Sequence, residues 1–201
     1  MKRKNREHLD FIGFLEGQSG SSGRANLAEL RRAAANLAHD YRDIRVLVDY
    51  LPDADAWSFD AHRLTASLFT FYAAKFWGRD DRLHLPRFSA NEKRRRTLGT
   101  SLQRLKQKLS VGQESLDLRF SALLDTPRED LAVPLRGIVQ RIATAEQSIP
   151  IDFRQLLNDL LYWNADHTRR NWAMDYWQAA APEDEAGNRP EEAAPKANEQ
   201  P

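Results

Sequence analysis

The chain has 201 residues, of which 29% are charged and 41% hydrophobic, and it contains no cysteine. This length is sufficient for one substantial hydrophobic core, or for two small helical lobes that share one. The absence of cysteine excludes a disulfide framework, a thiol nucleophile and thiolate metal sites, and it fits a reducing compartment.

The two ends of the chain differ from its middle. The basic start, MKRKNREHLDFIGFLEG, has only a short apolar stretch between Asp10 and Glu16. We therefore expect neither a signal peptide nor a membrane span, and a cytoplasmic protein. Residues 182–201 carry six acidic and two basic side chains, a net charge of −4, and no aromatic or large aliphatic residue. Such a segment cannot bury enough surface to offset its ordering entropy, so we predict a disordered tail after a helical domain over 1–181.

Helical periodicity dominates the rest of the sequence and predicts an all-α fold, an irregular bundle of about seven to nine helices. The predicted helices cover residues 6–16, about 26–41, 60–77, 97–109, 113–125 and 128–146. The run GQSGSSG, residues 17–23, is expected to be a flexible loop. The stretch 60–77 is apolar nearly all round, which predicts a central, largely buried helix.

The segment 149–177, IPIDFRQLLNDLLYWNADHTRRNWAMDYW, is predicted to be one long helix. It holds three of the five tryptophans, and Asp152 supplies a carboxylate for its first turn. Arg169 and Arg170 interrupt the apolar face between Trp163 and Trp172. The tryptophans are most simply core packing, whereas arginines beside aromatic planes suit a nucleic-acid surface.

A search for catalytic motifs mostly finds absences. The sequence has no GxxxxGK[ST], GxGxxG, HExxH or Gly-x-Ser-x-Gly motif, so the corresponding phosphate-loop, zincin and serine-hydrolase mechanisms lack their parts. The dipeptide His39-Asp40 is the one metal-binding candidate, because a helical His-Asp pair ligates metal in helical phosphohydrolases. That site requires further ligands, and His8 and Asp60 could supply them only if the fold of such an enzyme is assumed.

Basic residues recur on the outer faces of several predicted helices. The region 75–108 alone has eleven Lys and Arg against three acidic residues, a local charge of +8. Arginine predominates, and its planar guanidinium suits bidentate phosphate contacts and stacking on bases. A continuous basic groove would be built from Arg31, Arg32, Arg94, Arg95, Arg96, Arg104, Lys108, Arg136, Arg141, Arg169 and Arg170.

Four segments in order resemble the CasB family, the small subunit of the type I-E CRISPR complex Cascade. They are GRANLAELRRAAA (23–35), LGTSLQRL (98–105), DLRFSALLDT (117–126) and LLNDLLYWNADHTRRNWAMDYW (156–177). The likeness covers roughly residues 9–178. The RFSANEKRRRT segment is more basic than the likeness requires, and the acidic tail has no counterpart in it, so the resemblance assigns neither a role.

The resemblance implies a non-catalytic helical subunit, present with a second copy of itself beside other Cascade subunits. Its expected partners are the CRISPR guide RNA and the target and displaced DNA strands, with no cofactor, metal or membrane. The family's basic positions correspond to Arg31, Arg32, Arg104, Arg119, Arg136, Arg169 and Arg170. Opening a duplex against a guide is a near-balanced exchange, so a sequence-independent basic surface is enough to shift it.

Two alternatives stay open at this point. One is a helical metal-dependent phosphohydrolase that uses His39 and Asp40. The other is a helical protein–protein adaptor whose arginines serve only its solubility. The metal content of the purified protein separates the phosphohydrolase from the other two hypotheses. Salt-dependent binding to nucleic acid separates the Cascade subunit from the adaptor.

Truncation after Ala181 tests the interpretation of the acidic tail. We expect an unchanged melting temperature, because the tail has no large apolar residue to bury. We expect tighter binding to nucleic acid, because a charge of −4 that repels phosphate is removed. A large drop in melting temperature would show instead that the tail is part of the folded domain.

Overall fold

Helices make up the regular structure of the computed structural model, which describes residues 10–33, 41–51, 55–92 and 94–178. Over these ranges no strand forms, and extended pairing is limited to two isolated bridges. The helices are α1 (Phe11–Glu16), α2 (Gly20–Ala33), α3 (Ile44–Leu47), α4 (Ala56–Ala73), α5 (Leu98–Lys108), α6 (Gln113–Leu124), α7 (Ala132–Thr144), α8 (Phe153–Leu161) and α9 (Asp166–Trp177). Two short 3-10 turns, Ala74–Phe76 and Arg128–Asp130, follow α4 and precede α7. The expectation of an all-α bundle is confirmed.

Aspartate caps fix the starts of three helices. Asp10 accepts a hydrogen bond from the Gly13 amide at 2.9 Å and caps α1, which begins at Phe11. The first part of the helix predicted over 6–16, residues 6–9, lies outside the described residues. Asp55 caps α4, which begins at Ala56, four residues before the predicted start at residue 60. Asp152 caps α8 by accepting from the Gln155 amide at 3.0 Å, as the sequence predicted for the entrance to that segment.

Helix α4 is the centre of the fold, as its nearly uniform apolarity predicted. It packs against α2, α7 and α8, and most of its residues from Ala61 to Ala73 are buried. Hydrogen bonds from two of its aromatic side chains connect it to the C-terminal part of the chain. The Trp57 indole N–H donates to the Leu160 carbonyl at 2.9 Å, and the Tyr72 hydroxyl donates to the Ile149 carbonyl at 2.7 Å.

A buried ion pair joins α4 to the segment before α3. The Arg63 guanidinium donates to both carboxylate oxygens of Asp43, at 2.7 and 2.9 Å, and both side chains are 3% exposed. Removing one partner of such a pair leaves an uncompensated buried charge, which typically costs about 3–5 kcal/mol. The pair therefore fixes the position of the segment before α3 against α4.

The predicted flexible loop over residues 17–23 is wrong, because α2 already begins at Gly20. Tertiary contacts outweigh the poor helix propensity of Gly and Ser here. The Gly20 amide donates to the Asp81 carbonyl at 2.8 Å, and Arg24 pairs with the Asp81 carboxylate at 2.7 Å. Gly23 is buried so closely against Gln18 that a Cβ would lie 2.9 Å from the Gln18 carbonyl carbon.

The prediction of one long helix over 149–177 is also wrong, because the chain turns between α8 and α9. Nine residues at about 100° each would place Trp163 and Trp172 on opposite faces of a continuous helix, about 13 Å apart along its axis. The turn brings the two rings to a centroid distance of 5.1 Å at an interplanar angle of 71°. Both rings are buried, and their indole N–H groups donate to the Thr126 carbonyl and to Asp159.

Helices α5 and α9 meet at Gly99, where the backbones approach closely. A Cβ added to Gly99 would lie 2.3 Å from the Trp172 carbonyl oxygen, so no larger residue fits without separating the two helices. Gly137 on α7 has nothing within 4 Å of the corresponding position. A side chain would therefore clash at position 99 and find open space at position 137.

Replacing each glycine by alanine tests this difference. Gly99→Ala should destabilise the protein by at least roughly 1–3 kcal/mol, the usual cost of overpacking. Gly137→Ala should stabilise it by about 0.5–1 kcal/mol, because alanine is the better helix former and meets no neighbour. Urea denaturation measures both changes, and equal effects at the two positions would contradict the close approach of α5 and α9.

Candidate nucleic-acid interface

The most basic segment of the chain is anchored on one buried carboxylate. Arg95 donates to both oxygens of Asp175 on α9, at 2.9 to 3.2 Å, and the Thr97 hydroxyl donates to the same carboxylate at 2.7 Å. Arg94 donates to the Asp175 backbone carbonyl at 2.8 Å and to Gln103 at 3.3 Å. Two of the predicted nucleic-acid-binding arginines therefore bind α9 within the fold.

Two further predicted arginines have partners in the preceding loop. Arg104 on α5 forms an ion pair with Glu92, and its guanidinium lies 4.8 Å from the centre of the Phe88 ring. Arg96 donates to the Ser89 carbonyl at 3.3 Å. The Arg104 side chain is 31% exposed, so it is only partly accessible to solvent.

At the C-terminal end of α2, Arg31 and Arg32 are both exposed. Cations in the last turn interact favourably with the partial negative charge at a helix C-terminus. Arg31 also lies over the Phe71 ring at 5.4 Å, a cation–π contact between α2 and α4. The contact with Phe71 positions Arg31, and both arginines are accessible to solvent.

Helix α7 contributes Arg136 and Arg141, and both are half-buried. Arg136 makes an intramolecular contact. Arg141 reaches the turn between α5 and α6, where its Nη2 lies 3.1 Å from the position that a Cβ on Gly112 would take. Neither arginine projects freely into solvent.

Further accessible cations are on the outer sides of α5, α6 and α9. Lys108, Arg119 and Arg170 are exposed, and Arg169 is half-buried beside the inward face of α9. Within the described part of the chain, none of these four residues makes an ion pair. Arg170 lies opposite the buried face of α9 that holds Trp172 and Asp175.

The residue that sequence reasoning missed is Asp175. It sits on the same helical face as Trp172 and Tyr176, which is the one available sequence signal for its burial. Its partners lie about 80 residues earlier in the chain, so periodicity could not pair them. The structure thus divides the predicted arginines into internal anchors and accessible cations.

Among residues 10–33, 41–51, 55–92 and 94–178, no group of three or more His, Asp and Glu side chains is placed to hold a metal ion. His39 and Asp40 lie outside these described residues, as does the acidic tail over 182–201. In the same described ranges, no helix has both the length and the apolarity that crossing a membrane requires.

The fold and the site define a helical protein with accessible arginines on several neighbouring helices and with no recognisable catalytic constellation among its described residues. Comparison with known proteins identifies a family whose sequence pattern this chain matches. Residues 26–177 match the model of CRISPR-associated protein Cse2.

A curated CRISPR-associated protein Cse2 from Thermus thermophilus is 38% identical over 90 residues, which is 44% of this chain and 50% of that relative. The chain thus aligns with about half the length of this relative. Solved structures give wider coverage. A Cse2-family CRISPR-associated protein, also from Thermus thermophilus, has a TM-score of 0.64 and 27% identity over 84% of this chain and 96% of that chain. CasB from M. ruber has a TM-score of 0.60 and 27% identity over 83% and 90%.

The chain belongs to the Cse2 (CasB) family of CRISPR-associated proteins of type I-E systems. The resemblance that the four sequence segments carried is therefore confirmed.

Replacing Arg94 and Arg119 separately tests the division between anchors and accessible cations. Arg94→Ala should destabilise the protein by roughly 1–3 kcal/mol, because it leaves the Asp175 carbonyl and the Gln103 amide oxygen without their donor. Arg119→Ala should change stability by less than about 0.5 kcal/mol, as is usual for an exposed side chain. Thermal and urea unfolding measure both, and an unaffected Arg94→Ala variant would contradict the anchoring role.

Proposed function

We propose that this chain is a non-catalytic, nucleic-acid-binding small subunit of a type I-E Cascade complex in the cytoplasm. In this role it stabilises the guide RNA and the opened target DNA, including the displaced strand of the R-loop, as part of antiviral defence. Other Cascade subunits and a second copy of the chain are its protein partners. Membership of the Cse2 family supports this assignment.

The observation that carries the proposal is the set of accessible cations without internal ion pairs. Lys108, Arg119 and Arg170 lie on different helices of one bundle, and each is exposed. Arginines spread over several elements contact phosphates at many points, which gives affinity without reading the bases. Sequence recognition in an RNA-guided complex comes from base pairing instead.

The double substitution Arg169→Ala with Arg170→Ala tests the proposed phosphate contacts. We expect weaker binding to both single- and double-stranded nucleic acid. The slope of log K against log salt concentration should fall in magnitude by about one for each phosphate that the variant no longer neutralises. Stability should change little, because Arg170 is exposed and neither arginine makes an ion pair with a described residue.

A matched control removes the same charge elsewhere. Arg87 and Arg154 are also exposed, but they pair with Glu16 at 2.9 Å and with Asp10 at 2.6 Å. Hydrogen bonds from Arg154 and from the Gly13 amide lower the pKa of Asp10 to about 2, so this carboxylate is ionised beside Arg154 at neutral pH. Arg87→Ala with Arg154→Ala should keep the wild-type salt slope. An equal reduction in both double variants would assign the effect to overall charge and not to contacts on α9.

A further inference from the structure

A groove lies where the C-terminal end of α9 meets α5 and the start of α6. Its volume is about 290 Å³, close to the lower end of the range for ligand pockets, roughly 300 Å³. Four glutamine side chains, Lys106, and the rings of Tyr176 and Trp177 line it. The groove therefore combines neutral hydrogen-bonding groups with aromatic surface.

Trp177 differs from the buried tryptophans of the same segment. It is 50% exposed, whereas Trp163 and Trp172 are 1% and 0% exposed. Its ring packs against Phe120 at a centroid distance of 5.4 Å and against Tyr176 at 5.1 Å. These two contacts hold the indole in one orientation while half of its surface stays open to a ligand.

The charged groups at the groove neutralise each other. Lys106 donates to both oxygens of Asp117 at 2.7 and 2.8 Å, and the Tyr176 hydroxyl donates to the same carboxylate at 2.6 Å. Burial alone would raise the pKa of Asp117, but the hydrogen bonds from Lys106 and Tyr176 outweigh it and lower that pKa. No unbalanced carboxylate is therefore left here to repel an anionic ligand.

The polar lining matches the edge of a nucleobase. A glutamine amide offers both a donor and an acceptor, as base edges do. In the part of the chain that the structure describes, the side-chain amides of Gln107 and Gln178 make no hydrogen bond, so both are available. Gln103 extends the lining toward the basic segment, since it accepts from Arg94 at 3.3 Å, and Arg95 beside it is 47% exposed.

We propose that this groove binds one unstacked nucleobase of a single strand, stacked on the Trp177 indole with its edge toward the glutamine amides. Aromatic rings beside cations are the usual means of binding single strands without sequence preference, because every base has a π-face. The inference rests on the proposed function, since it requires that the chain bind nucleic acid. The groove would add a contact with a base to the phosphate contacts that the arginines make in the proposed function.

The test compares two oligonucleotides of equal length and charge, a fluorescein-labelled oligothymidine and its abasic counterpart, by anisotropy with the full chain. The wild-type protein should prefer the oligothymidine by about tenfold, the effect of one base–aromatic stack. Trp177→Leu should reduce that preference to about one, with the abasic affinity unchanged. Trp177→Phe should retain most of the preference, because it keeps an aromatic ring.

Tyr162→Leu is the matched control, because Tyr162 is an aromatic residue of similar exposure, 58%, at the end of α8. It should leave the preference intact, and melting temperatures establish that all three variants are folded. Equal wild-type affinity for the two oligonucleotides, or an unchanged preference in Trp177→Leu, would overturn the base site while phosphate binding stands. Failure of the wild-type protein to bind either oligonucleotide at low salt would overturn the proposed function as well.

Acrylamide quenching of Trp177 before and after truncation at Ala181 gives one more outcome, in which the truncation makes the indole more accessible. That result, together with equal affinity for the two oligonucleotides, would also contradict the base site.

Discussion

The contact between α5 and α9 at Gly99 is the constraint on which the proposed nucleic-acid surface depends. With no side chain at this position, α9 approaches until the Trp172 carbonyl lies next to the α5 backbone. This approach buries Asp175 where it accepts hydrogen bonds from Arg95 and Thr97. The same helix then ends at Trp177 beside α5 and α6. One backbone contact thus positions both the basic segment and the aromatic groove.

Desolvation explains why so many arginines of this protein are internal anchors. A buried carboxylate such as Asp175 requires cationic or hydroxyl donors, because its charge is otherwise strongly unfavourable. Asp159 shows the cost of lacking a cation: burial raises its pKa, although Trp172 and Gln155 donate hydrogen bonds to it. Some of the N–H donors of an arginine that binds such a carboxylate are already engaged within the fold. In the proposed function, phosphate contacts therefore come mainly from cations that no carboxylate holds.

Sequence periodicity predicted the elements that depend on local pattern alone. The all-round apolar stretch became the central helix α4, and the leucine register of α5 is buried at Leu98, Leu102 and Leu105. Periodicity could not show the turn between α8 and α9, because the packing of Trp163 against Trp172 that accompanies it is a tertiary contact. It also could not separate the anchoring arginines from the accessible ones, since their carboxylate partner is remote in sequence.

The salt dependence of wild-type binding to unrelated sequences tests the central claim most directly. The measurement compares two duplexes and two single strands of unrelated sequence as the salt concentration is raised. A dispersed phosphate-binding surface predicts equal affinities within each pair and a linear fall of log K with log salt concentration. A strong preference for one sequence that persists at high salt, or no binding at low salt, would contradict the claim.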